Sequence, residues 1–152
     1  MLRIQFYKYV AAVLCVLLLN GCEKPQRGAV GDSEIDDKTP EYAALMFARS
    51  IYHEESIDGA VALSTDRMQR VLNSYHTNRN VQRHVLNLKY DKVNIIPDGG
   101  NKIGRAQFSE TASITLFFSG TYDDDRIEDL RTVQLVRQNG QWKVDRVTAD
   151  YM

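Results

Sequence analysis

The hydrophobic period of this chain changes once, near Leu88, and does not change back. Before that point apolar residues recur at helical spacing. Ala44, Phe47 and Ile51 fall at i, i+3 and i+7, with Ala43, Met46 and Tyr52 widening the stripe, and Met68, Val71, Leu72 and Tyr75 form a second apolar face. After it the period is two: Ala112, Ile114, Leu116 and Phe118 alternate with Ser113, Thr115, Phe117 and Ser119. Helices followed by a meander of antiparallel strands is an α+β arrangement. The sheet has to bury one face, and the N-terminal helices are available to cover it. The expected architecture is therefore helices packed on a curved antiparallel sheet of about four strands.

Local signals place the elements. Thr39-Pro40-Glu41 has a capping hydroxyl, a proline suited to the first helical position and an acid in the first turn, which predicts a helix over 40–55. Ser56 or Asp58 is expected to cap a short helix near 57–63 that buries Val61 and Leu63. Ser64-Thr65-Asp66 starts a third helix. Its pattern weakens at His76-Thr77-Asn78 and returns with Val81, Val85 and Leu86, so one long helix or two with a break both remain open. Tyr90 and Val93 to Ile95 suggest a first strand, and Pro97 to Asn101 a turn. Ile103 to Tyr122 is expected as a long second strand bulged near 109–111, Asp123 to Asp129 as an acidic turn, and Leu130 to Arg137 as a third strand. Asn139-Gly140 suits a type I′ hairpin into a fourth strand, Gln141 to Val147. A two-residue loop there sets Arg137 opposite Trp142 and Leu135 opposite Val144. Val133, Leu135, Trp142 and Val144 then share one face, assigned to the core.

The first 21 residues do not fit this scheme. Arg3 and Lys8 precede an unbroken apolar run, Tyr9 to Leu19, which ends at Asn20-Gly21-Cys22. A helix of that length spans ~16 Å against a hydrocarbon core of ~30 Å. The run is short for a transmembrane anchor and suits a signal peptide. Leu19-Asn20-Gly21-Cys22 resembles the lipobox of bacterial lipoproteins. The resemblance implies that Leu19, Asn20 and Gly21 are recognised by a signal peptidase that cuts before Cys22. It further implies that the Cys22 thiol carries diacylglycerol and that the new amino group is acylated. A thiolate is the fitting nucleophile for that step. Glu23 to Lys38 is polar, contains Pro and Gly, lacks apolar periodicity and has the composition of a tether. The organisation expected is signal peptide 1–21, lipidated cysteine and tether 22–38, and domain 39–152. The protein would sit in the bacterial cell envelope facing the periplasm, attached to the membrane through covalent lipid. Glu23, where an aspartate would favour inner-membrane retention, points to the outer membrane by the same resemblance.

Cys15 and Cys22 are the only cysteines of the 152 residues, and Cys15 would leave with the signal peptide. The domain would therefore have no disulfide and would be held by its core alone. Net charge is −1, and without residues 1–21 the chain carries 17 bases against 20 acids. That balance gives no electrostatic pull toward nucleic acid.

Pro40–Ile51, the strand Ala112-x-Ile114-x-Leu116-x-Phe118, and Asn139-Gly140-Gln141-Trp142-Lys143-Val144 together resemble the cone-shaped cystatin-like fold of nuclear transport factor 2 and ketosteroid isomerase. The likeness is closest to the uncharacterised domains of that fold carried by small bacterial lipoproteins. It covers Thr39 to Val147. It implies a cone closed by helices and, as one further expectation, a homodimer through the open sheet face, where Ser113, Thr115 and Phe117 would lie.

No residue pattern names a reaction. His53-Glu54-Glu55-Ser56 lacks the second histidine of a zinc-protease helix. His76 and His84 have no cysteine or third histidine beside them, so no metal is expected. Asp123, Asp124, Asp125, Glu128 and Asp129 lack the spacing and glycine of a calcium loop and suit a solvated hairpin tip. Arg67, Arg70, Arg79, Arg83 and Lys89 form a basic region, either a wet helix face or a surface for anionic lipid heads or an acidic partner. There is no Gly-x-Ser-x-Gly and no phosphate-cradling loop. Phe47, Tyr75, Leu116, Phe118 and Trp142 are the candidates to line a pocket between helices and sheet. Aromatics at these spacings usually fill such a space instead. No catalytic residue and no cofactor is expected. Two functions follow: a non-catalytic binding or adaptor module engaging an envelope protein, or a small-ligand pocket protein or isomerase-like or hydrolase-like enzyme.

Overall fold

The computed structural model describes residues 37–98 and 109–150. Helix α1 runs Pro40–His53, with Thr39 as its N-cap: the Thr39 hydroxyl accepts from Tyr42 N at 3.3 Å. Ala44, Phe47 and Ile51 are fully buried on its inner face. Helix α2 is Asp58–Ala62, and its N-cap is Ile57, not Ser56 or Asp58. The Ser56 hydroxyl donates to Asp58 Oδ2 at 2.9 Å and accepts from Asp58 N at 3.3 Å, so it still meets the first backbone N–H of the helix. Ile57 and Ala60 are the buried residues there, while Val61 and Leu63 are half-buried.

The helical region after Ser64 is two helices, α3 (Asp66–Tyr75) and α4 (Asn78–His84). Thr65 and Thr77 cap them, accepting from Met68 N and Asn80 N, each at 3.3 Å. Between them His76 takes a left-handed φ of 63°, which ends α3 and frees Thr77 to start the next helix.

The sheet has strands β1 (Lys92–Pro97), β2 (Thr111–Tyr122), β3 (Asp125–Gln138) and β4 (Gln141–Asp150). They pair antiparallel in the order β1-β2-β3-β4, so the domain is α+β with a four-stranded meander. The expected start of the second strand near 103 lies outside the described residues, and β2 as described begins at Thr111. The acidic turn is shorter than its sequence suggests. Only Asp123 and Asp124 form the loop, with φ of 53° and 65°, and Asp125 already pairs with Tyr122. Aspartate tolerates the left-handed region well enough to make a two-residue turn without glycine.

At the second hairpin Asn139 and Gly140 take φ of 51° and 80°. Arg137 lies opposite Trp142 and Leu135 opposite Val144, as the loop length requires. One residue further in, the register shifts: Gln134 pairs with Arg146, and Asp145 has no opposite number. This is a β-bulge, and its effect on burial is direct. Trp142 and Val144 face inward, and strict alternation would turn Arg146 inward next. The extra residue puts Val147 there instead, packed against the core. The bulge also carries Asp145 toward α3. Its Oδ1 accepts from Thr65 Oγ1 at 3.0 Å, and its Oδ2 pairs with Arg67 at 3.2 Å. Residues 63–65 run beside β4 at this point: Thr65 N donates to Val144 O and Val144 N to Leu63 O, at 2.9 and 2.8 Å. The β4 edge is thereby closed at Val144.

The inner sheet face presents Ile95, Leu116, Phe118, Val133, Leu135 and Val144, each no more than 1 % exposed, to the helices. The outer face carries Thr115 and Thr132, their hydroxyls 3.0 Å apart. Beside them Phe117 lies between Ile96 on β1 and Leu130 on β3, all three half-buried.

Candidate functional site

Leu19, Asn20, Gly21 and Cys22 lie outside the described residues. Of the five candidate pocket residues, Phe47, Leu116 and Phe118 are fully buried and Trp142 is 6 % exposed. All four belong to one packed core. Tyr75 is half-buried on α3, packed against the edge of this core and stacked on His84 with centroids 5.2 Å apart.

A different set of residues lines a cleft of about 390 Å³. It opens where the end of α1 meets the start of α4 and the chain entering β1, and its walls include Tyr52, Glu54, Glu55, Asn78, Arg79 and Asp91. The sequence reason for this crevice is helix termination. The last carbonyls of α1 have no partners within the helix, and α4 brings two side-chain amides to them. Asn78 Nδ2 donates to the carbonyls of Glu54 at 2.7 Å, Ser56 at 3.0 Å and Ser50 at 3.3 Å. Gln82 Nε2 donates to Ile51 O at 3.0 Å. Asn78 Oδ1 is buried and, among the described residues, has no hydrogen-bond partner. Asparagine at the first position of a short helix gave no hint of this role in the sequence.

Two tyrosines, Tyr52 and Tyr90, help to line the cleft, and both hydroxyls are committed to backbone carbonyls. Tyr52 donates to Leu88 O at 2.6 Å, and Tyr90 faces Phe118 O and Ile127 O at 3.5 and 3.4 Å. Burial pushes the Tyr52 hydroxyl well above the ordinary phenol range, with neighbouring Tyr90 adding to the effect. Burial, then the Asp129 carboxylate, pushes Tyr90 up to about 12. In the unfolded chain both titrate near ~10. A raised folded value means that the folded state holds its protons where the unfolded state has lost them. This contribution to stability is whole below pH ~10 and is lost as pH rises through the folded values. Unfolding free energy measured in urea is expected to fall steadily above pH ~10, and Tyr52→Phe to flatten that fall. An unchanged alkaline slope in Tyr52→Phe would contradict the assignment.

The remaining candidates are dispersed. His53 ends α1 at the surface, with Nε2 donating to Val93 O at 3.1 Å on the outer edge of β1. His76 sits in the break after α3, so His76 and His84 do not share a helix. Among the described residues no group of three or more His, Cys, Asp or Glu side chains is placed to hold a metal ion. Two acids of the first hairpin have separate cationic partners, and Asp123 contributes its backbone N–H. Asp123 N donates to Asp91, Arg126 pairs with Glu128 and holds its carboxyl below the usual range, and Asp129 pairs with Arg131. The basic region is likewise divided: Arg67 is paired with Asp145, Lys89 lies over the Tyr122 ring, Arg79 is in the cleft, and Arg70 and Arg83 are exposed.

Arg131 had no place among the sequence-derived candidates. It is a buried cation on the inner face of β3. Its Nε donates to Leu86 O at 2.6 Å, its Nη2 to Asn87 O at 3.0 Å, and its Nη1 pairs with Asp129 at 2.9 Å. The signal was its alternation with Val133 and Leu135, which places it inward. Among the described residues no helix is long and apolar enough to cross a membrane. Compared with family models, with curated proteins and with solved structures, the chain has no match.

Proposed function

We propose that this chain is a lipoprotein of the bacterial cell envelope: signal peptide 1–21, Cys22 carrying the lipid, tether 22–38, and a periplasm-facing domain of the cystatin-like cone type. The observation that carries this is the charged start and apolar run that break off at Leu19-Asn20-Gly21-Cys22. Two or three acyl chains, at ~0.8 kcal/mol for each buried methylene, hold a protein firmly where one holds it marginally. The outer membrane is the proposed destination. The domain acts as a non-catalytic binding or adaptor module. That part is supported by the filled space between helices and sheet, and by tyrosine hydroxyls spent on backbone carbonyls. A small-ligand pocket protein or an enzyme would need an interior cavity with converging polar groups. The outer sheet face around Phe117 is then the proposed contact surface, for an envelope protein or for a second copy.

The test is metabolic labelling with palmitate in a bacterial host. Wild type is expected to incorporate label and to fractionate with membranes. Cys22→Ser is expected to take up none and to keep its uncleaved signal peptide. Equal labelling of the two proteins would end the proposal. Photo-cross-linkers at Ser113 and Thr115 test the contact surface.

A further inference from the structure

We propose that Asn139 is a site of spontaneous deamidation, and that its isoaspartate product opens the β3–β4 hairpin. Asn139 and Gly140 are exposed at the hairpin tip, and nothing lies within 4 Å of the place where a Cβ on Gly140 would stand. The flanking pair is Gln138 with Gln141. In a two-residue type I′ loop the apex N–H groups stand outside the ladder, so the Gly140 amide is not held by the sheet.

The step is intramolecular. With base taking its proton, Gly140 N attacks Asn139 Cγ. The new N–Cγ bond closes a five-membered imide, the Cγ–Nδ2 bond breaks, and ammonia leaves. Water then opens the ring. Opening at Cγ gives aspartate with the backbone unchanged, and opening at the backbone carbonyl gives isoaspartate, whose main chain runs through Cγ. The net change is asparagine plus water to an acid plus ammonia. Glycine at the second position allows the close backbone approach that a side chain would hinder. Among the described residues the other asparagines precede Ser74, Arg79, Val81, Leu88 and Ile95. Asn73, Asn78 and Asn80 are held in helices, Asn94 in β1.

The consequence follows from the shortness of the loop. Hairpin register is set by loop length, and isoaspartate adds a main-chain carbon to a connection of two residues. The Gln138–Gln141 pair can no longer close in register. Immediately behind it are Arg137 opposite Trp142, with the guanidinium 5.9 Å from the indole ring, and the buried pair Leu135 and Val144.

The full chain is aged in mildly alkaline buffer and mapped by peptide mass and by isoaspartyl methyl transfer. Loss of ammonia at Asn139 is expected to run roughly tenfold faster than at Asn73 or Asn87, and Gly140→Ala to remove most of that excess. Amide exchange over 136–144 is expected to speed up in the isoaspartate fraction and to match wild type in Asn139→Asp, which keeps the backbone length. Loss at Asn139 no faster than at Asn73 and Asn87 in the folded chain would overturn the site. An isoaspartate fraction as protected as Asn139→Asp would overturn the opening.

Discussion

Replacing Phe118 with alanine is expected to remove about 4 kcal/mol of folding free energy, measured as a shift of the urea midpoint at constant slope. Phe118 is fully buried on β2, opposite Ile95 of β1. Its ring lies 5.6 Å from Tyr52 and 6.4 Å from Tyr90, the latter stacked at 6°. The size of the loss depends on whether the neighbours collapse into the space left. Here two of them are pinned by their hydroxyls, Tyr52 to Leu88 O and Tyr90 toward Phe118 O and Ile127 O. Moving either ring inward breaks a hydrogen bond in the interior, so the cavity stays open. Phe117→Ala, one residue away on the outer face, is expected to lose about 1 kcal/mol, mainly its cross-strand contacts with Ile96 and Leu130. Equal losses for the two variants would mean that the faces of β2 are wrongly assigned.

Arg131→Met is expected to destabilise the domain by about 3 kcal/mol. Methionine fills much of the same volume and carries no donors. The carbonyls of Leu86 and Asn87 would then be left without the partners that Nε and Nη2 supply, and Asp129 would lose its cation. These carbonyls belong to the turn, with Asn87 at a φ of 47°, where the chain leaves α4 for the sheet. The guanidinium thus fastens the helical layer to β3 at the crossover between them. Arg131→Lys keeps the charge but presents no planar fork. It is expected to recover less than half of the loss. A loss under ~1 kcal/mol for Arg131→Met would show that the turn finds water or other donors instead.

Much of the fold was legible in local sequence. Thr39 and Thr65 mark helix starts because a capping hydroxyl acts over three residues. The inner faces of β2 and β4 followed from alternation, and Asn139-Gly140 set the pairing of Leu135 with Val144. The bulge expected near 109–111 falls where β2 as described only begins, at Thr111, and the β4 bulge is one that alternation could have shown. Trp142 and Val144 occupy even positions and Val147 an odd one, and only one extra residue between them keeps all three inward. The Asp123-Asp124 turn was obscured by the acids around it, since charge says nothing about which pair takes a left-handed φ.

The order of helices and strands, the buried stripes and the second hairpin register were written in the chain itself, because period, capping and turn chemistry act between near neighbours. The reach of Arg131 from β3 to the end of α4, the capping of α1 by Asn78 and Gln82, and the cleft those contacts leave were decided only in three dimensions. Each joins residues more than 20 positions apart. A buried polar group seeks whatever partner the packed layers bring to it, and no local pattern records which one that will be.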